Sequence, residues 1–170
     1  MAFPPHTWTY EQLTSTLLAL LEWRGKPKAQ ITYPTAQSIP DNTWTTLTNN
    51  ATNPTSIYDT DSMVDLANRR IKITTPGWYV PVASVVFAAN SSGMRKVAVR
   101  RNGTLIHSTY IEPDTSTQCP GQVTAGPILC AANDYFDIQV LQASGGALST
   151  YSGGDGTPTL SVYMVDSSTT

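Results

Sequence analysis

The sequence predicts an all-β sandwich of the jelly-roll kind, preceded by one short N-terminal α-helix. Three observations point there. Hydrophobic residues make up 40% of the chain and charged residues only 13%, with abundant Ser and Thr, a mix that suits strands and turns. From residue 29 onward, short β-rich runs alternate with Pro, Gly and Asn turn signals, giving about eight to ten strands. The run TPGWYVPVASVVFAAN, residues 75–90, is apolar at both parities, where a half-buried strand alternates. Trp78, Val80, Val82 and Val86 share one side and Tyr79, Val85 and Phe87 the other, so both sides ask for cover, from a second layer or from a partner subunit.

The elements follow in order. TWTYEQLTSTLLALLEWRGKPK carries helix boundary signals: Thr9 and Gln12 form a capping box, Trp8 and Leu13 a hydrophobic staple, and Gly25 and Pro27 a stop. Tyr10, Leu13, Leu17 and Leu20 lie on one stripe, widened by Leu18 and Leu21, with Trp23 near its end. Such a helix, roughly 21 Å long, is marginal alone and must dock. Three docks stay open: its own β-domain, copies of itself, or a larger assembly. Residues 1–28 are therefore read as an anchoring helix and linker, and 29–170 as the β-domain.

ITY and TWTTLT are β-rich pieces separated by SIPDN. NNATNPTSIYDTDSMVD reads as a polar loop and RIKIT as an alternating strand. MRKVAVRRNGTLIHSTYI predicts a hairpin on the two-residue turn Asn102-Gly103, which places Val99 opposite Ile106 and Ala98 opposite His107. Pro81, inside the long apolar run, predicts an edge position or a bulge there. GPILCA, YFDIQVLQA and TLSVYMV complete the strands.

The net charge of −2 argues against nucleic acid, which demands a basic stripe. No leader pattern and no apolar run of about 18 residues is present, so a soluble product without a membrane span is expected. Beyond residue 29, every Lys and Arg lies between Arg69 and Arg101, whereas 102–170 carries Glu112, Asp114, Asp134, Asp137, Asp155 and Asp166 with no base. Either copies pair these segments across an interface, or both are solvated faces. Cys119 and Cys130 could face each other across CPGQVTAGPILC, but two free buried thiols are the expected state.

No hydrolase, P-loop, zinc or dinucleotide motif occurs, so no enzyme and no cofactor is expected. His6 and His107 stand without partners in sequence. Asp59, Asp61 and Asp65 lack the glycine and terminal glutamate of an EF-hand loop and read as turn caps. Trp44, Tyr58, Tyr110 and Tyr151 would suit a sugar if they shared an exposed groove.

The series SIPDNTWTTLT, IYDTDSMVD, RIKITTPGWYVPVASVVFAAN, GMRKVAVRRNGT, GPILCAANDYFDIQVLQASGGALS and TPTLSVYMV resembles the jelly-roll domain shared by complement globular heads and tumour necrosis factor ligands. It is more similar still to the versions found in virion proteins of tailed bacteriophages. The resemblance implies a compact homotrimer whose long strands serve both the sandwich and the subunit interface. Trp78, Tyr79, Val85, Phe87, Phe136 and Tyr163 are the candidates for core or interface. It also implies a structural virion protein, made in the host cytoplasm and seated by Trp8, Tyr10, Leu13, Leu17, Leu20, Leu21 and Trp23 on the major capsid protein or another virion protein. A capsid decoration, or head fibre, is the first expectation; a tail-mounted trimer binding host or surface glycan is the alternative.

Overall fold

The computed structural model describes residues 11–12, 14–15, 25–48, 54–114, 118–153 and 156–169. The expected helix falls almost wholly outside them. Glu11, Gln12, Thr14 and Ser15 are described as exposed residues of helical backbone, and no helix stands among the described elements.

Fourteen strands follow in chain order: β1 Lys28–Thr32, β2 Ser38–Ile39, β3 Thr45–Thr46, β4 Thr55–Asp59, β5 Val64–Asp65, β6 Arg70–Lys72, β7 Gly77–Phe87, β8 Arg95–Arg101, β9 Thr104–Ile111, β10 Cys119–Thr124, β11 Ile128–Cys130, β12 Tyr135–Gln142, β13 Leu148–Ser149 and β14 Thr159–Asp166. One sheet runs β10-β7-β14-β1-β4, with β11 also on β7; the other runs β5-β6-β12-β8-β9, with β3 also on β12, and β13 and β2 form a small ribbon. The loop expected over residues 49–65 contains the edge strand β4, which pairs with β1 through a bulge. TSIYD supplies two β-formers in a polar context, and pairing with β1 decides its state.

The two sheets close on one core. Ile31, Tyr79, Val85, Phe87, Val97, Val99, Phe136, Ile138, Leu160 and Val162 are all fully buried in it. Each large side chain there contributes about 2 to 3 kcal/mol of hydrophobic stabilisation. The layers approach closely where β10 passes β9: a Cβ on Gly121 would stand 1.9 Å from Cδ1 of Ile111. Arg95, fully buried, lies at one end of the core. Its guanidinium donates to the carbonyls of Asn90 (2.9 Å), Ser92 (2.6 Å) and Gly93 (3.1 Å), folding the 90–93 loop around itself.

Four local expectations are corrected. The Asn102-Gly103 turn forms, with φ of 51° and 79°, but the hairpin register slips between Val99 and Arg100, so Val99 faces His107 and Ala98 faces Ser108. Ile106 is the extra residue of a bulge, and counting outward from the turn cannot detect it. Pro81 is on no edge, because β7 has β14 on one side and β10 and β11 on the other. Its carbonyl accepts from the Ala125 N–H at 3.2 Å. A strand residue's N–H and C=O point to the same side, so the missing N–H faces Ala125, where the β10 ladder ends, and the bond forgone is the last of that ladder.

The cysteines do not face each other. Cys119 pairs with Phe87 and Cys130 with Gly77, ten steps of about 3.3 Å apart along the same strand, roughly 33 Å. A disulfide tolerates about 7 Å between Cα atoms. Both thiols are free and buried, and burial pushes the Cys130 thiol up to about 11.

The basic and acidic segments meet within the chain, on the adjacent strands β8 and β12. Arg100 grips Asp137 with two bonds of 2.7 Å and reaches Thr46 at 2.9 Å. Arg101 bonds Asp134 at 2.6 Å. Asp134 also accepts from Asn102 (2.6 Å) and from the Ala131 N–H (2.8 Å), tying the hairpin turn to the start of β12. Burial pushes the Asp134 carboxyl up, but the Asn102, Ala131 and Arg101 donors outweigh it and leave the group below the ordinary carboxylate range.

Three outcomes follow. Thiol titration of the unfolded chain without reductant is expected to find both cysteines reactive, and non-reducing mass spectrometry to find no intrachain Cys119–Cys130 bond. Gly93→Ala is expected to destabilise by about 2 to 4 kcal/mol in urea unfolding, because φ is +67° and a Cβ there would meet the Ala143 carbonyl oxygen at 1.5 Å. Because the folded Asp134 carboxyl lies below its unfolded value, its stabilisation is present above about pH 4 and is lost as pH falls through the folded value. Asp134→Asn is therefore expected to lower stability at neutral pH and to flatten the acid limb of stability against pH, followed by circular dichroism.

Candidate assembly face

The strand β7 alternates in burial along its whole length. Tyr79, Ala83, Val85 and Phe87 point into the sandwich and are fully buried. Trp78, Val80, Val82, Ser84 and Val86 point out of the first sheet and are half-buried. The neighbouring strands extend this outer face. Val80 is opposite Tyr163, Val82 opposite Ser161, Trp78 opposite Leu129, and Val86 opposite Pro120. Leu129 and Tyr163 are each 37% exposed, and Val165, beside a bulge in β14, 41%. A column of apolar side chains thus runs down the middle of a sheet that the second layer does not cover. That is the pattern of an assembly surface.

A polar cluster borders the column. Gln30, Ser161, Tyr58 and Tyr163 lie on the same face of β1, β14 and β4. Gln30 Nε2 donates to Ser161 Oγ at 2.8 Å, and the Tyr58 hydroxyl donates to the Tyr163 oxygen at 2.7 Å. The two rings tilt against each other with centroids 6.4 Å apart. Next to Tyr163 a cleft of about 350 Å3 is lined by Lys26, Pro27, Lys28, Tyr163, Met164 and Val165. The chain is fastened there by the Met164 N–H to Pro27 carbonyl bond of 2.8 Å and by Lys26 donating to the Val165 carbonyl.

The structure separates the candidate residues. Tyr79, Val85, Phe87 and Phe136 belong to the core, while Trp78 and Tyr163 belong to the outer face. Trp8, Tyr10, Leu13, Leu17, Leu20, Leu21 and Trp23 lie outside the described residues. Tyr58, Gln30, Ser161, Leu129 and Val165 join the face without having been singled out as its members. Their common side depends on strand order and on a bulge, whereas the parity of Val80, Val82 and Val86 is legible directly.

No sugar-stacking groove unites Trp44, Tyr58, Tyr110 and Tyr151. Tyr58 is on the first sheet, Trp44 and Tyr110 belong with the second, and Tyr151 follows β13 beside Gly156. Two of the three carboxylates of the 59–65 segment are used locally, while Asp61 Oδ2 is buried without a hydrogen-bond partner. Asp59 accepts from the N–H groups of Asp61, Met63 and Val64, and Asp65 holds Asn68 and Arg70. Among the described residues no group of three or more His, Cys, Asp and Glu side chains gathers as a metal site, and no helix is long and apolar enough to cross a membrane.

No protein-family profile matches the chain, and no curated protein sequence matches it. Solved structures do. The globular domain of zebrafish complement 1qA protein aligns with a TM-score of 0.57 at 9% identity, covering 82% of this chain and 98% of that one. Murine APRIL, crystallised at pH 5.0, aligns with a TM-score of 0.60 at 10% identity over 82% and 99% of the two chains. The Eiger TNF of S. frugiperda gives 0.58 at 7% identity over 82% and 92%. At such identities the likeness concerns the fold alone, and the chain is an all-β sandwich with the fold of complement globular heads and tumour necrosis factor-like ligands.

Proposed function

We propose that this chain is a non-enzymatic structural module that works as a homotrimer, its copies meeting on the outer face of the first sheet. The observation that carries the reading is the half-covered column of Trp78, Val80, Val82 and Val86, flanked by Leu129, Tyr163 and Val165. Apolar area left open by one chain is the main driving force for association. The sequence resemblance to trimeric jelly rolls supports the number three. Its closer likeness to virion proteins of tailed phages supports a place on the particle, as a capsid decoration or head fibre seated by residues 1–28 on the major capsid protein or another virion protein. A decoration trimer stabilises a shell by bridging neighbouring subunits, and such a role needs no cofactor.

Light scattering of the full chain at micromolar concentration is expected to give three times the chain mass. Val82→Asp, which puts a charge in the middle of the face while leaving the core parity untouched, is expected to yield folded monomers. A wild-type monomer would refute the trimer. Immunogold labelling of phage particles with an antibody to residues 29–170 is expected to decorate the head; label confined to the tail would assign the trimer to host or glycan contact instead, and unlabelled particles would remove the virion role.

A further inference from the structure

Asn102 and Gly103 make the tight turn between β8 and β9, with φ of 51° and 79°. Asn102 is the one asparagine in the sequence that is followed by glycine. That order favours a reaction of the side chain: the backbone nitrogen of the following residue attacks the asparagine Cγ, and glycine has no Cβ to crowd the approach. Asn102 is exposed, so water reaches it. Its amide is nevertheless occupied at both ends. Nδ2 donates to Asp134 Oδ1 at 2.6 Å, and Oδ1 accepts from the Tyr135 N–H at 2.9 Å. The Asn102 N–H also donates to the Tyr135 carbonyl at 3.0 Å. Asp134 in turn accepts from Arg101 at 2.6 Å and from the Ala131 N–H at 2.8 Å. A single side-chain amide thus ties the turn to β12 and shares its acceptor with an ion pair.

We infer that Asn102 is a site of spontaneous deamidation, that its bonds to Asp134 and Tyr135 hold the reaction back in the folded chain, and that the product unties the turn from β12. In the first step the Gly103 nitrogen loses its proton to solvent and bonds to Cγ, while the Cγ–Nδ2 bond breaks and Nδ2 leaves as ammonia, taking up a proton from solvent. One water then opens the cyclic imide, adding its hydroxyl to a carbonyl carbon and its hydrogen to the Gly103 nitrogen. Opening at the backbone carbonyl carbon sends the chain through the side chain as isoaspartate, and opening at Cγ leaves an ordinary aspartate. The net change is one water in and one ammonia out, with no oxidant or reductant. Cyclisation needs Cγ to swing onto Gly103, so the amide must first release both partners, one of them a charge-assisted acceptor. Aspartate sets a carboxylate against the Asp134 carboxylate where a donor stood, and like charges at that distance repel. Isoaspartate lengthens the backbone of a turn whose register depends on two residues. Either product acts on the same tie.

The test incubates the full chain at mildly alkaline pH, folded and in guanidinium chloride, and follows residue 102 by peptide-mapping mass spectrometry. Conversion is expected in the unfolded chain and at least about tenfold slower in the folded one. An unfolded chain that keeps its amide would remove the site, and equal rates would remove the protection. Asp134→Ala, with its fold verified by circular dichroism, is expected to speed conversion of the folded chain about tenfold; an unchanged rate would show that the Asp134 bond is not the restraint. Should that variant not fold, the wild-type comparison still decides whether the fold protects. Asn102→Asp, which reproduces one product directly, is expected to lower the urea midpoint and to speed hydrogen exchange of the Tyr135 amide about tenfold. Wild-type stability and exchange in that variant would overturn the untying of the turn.

Discussion

The structure depends on one strand being buried twice. β7 is eleven residues long and pairs with β14 on one side and with β10 and β11 on the other. It delivers Tyr79, Ala83, Val85 and Phe87 to the core. Among the described residues its opposite face meets no second layer, yet it is lined with Trp and Val rather than Thr, Gln and Lys. A single antiparallel sandwich of this size needs only one apolar face per sheet. The second apolar face is surplus to the sandwich itself and asks for cover from a further layer.

That much was legible in the sequence, because the period of a strand is two and Trp78, Val80, Val82 and Val86 share a parity. Sandwich class and the Asn102-Gly103 turn were legible for the same kind of local reason, whereas the count of eight to ten missed the two- and three-residue strands that bring the total to fourteen. What escaped depends on contacts between distant residues. The Ile106 bulge reverses the facing of everything after it in β9, and no residue in LIHST announces it. The pairing of Arg100 with Asp137 and of Arg101 with Asp134 required knowing that β12 lies beside β8, across 37 and 33 residues of chain. The separation of the cysteines required knowing that β10 and β11 share one neighbour and occupy its two ends.

The internal ion pairs also shape how the surface can be used. With Arg70, Arg100 and Arg101 engaged by Asp65, Asp137 and Asp134, the apparent imbalance between a basic middle and an acidic end largely cancels within one chain. Few charges are left to act at the surface, and among them Lys26 and Lys28 sit beside the apolar face.

Pro81 has a consequence for the chain before it is folded. The stretch around it is the most apolar in the protein, rich in Val and aromatic residues and free of charge, the composition that stacks into intermolecular cross-β ladders. A missing N–H near its centre interrupts any continuous ladder that another chain could build along that side. The native sheet places this interruption at the break between β10 and β11. The same proline that the finished fold accommodates at the end of a ladder would thus act during synthesis as a gatekeeper against aggregation.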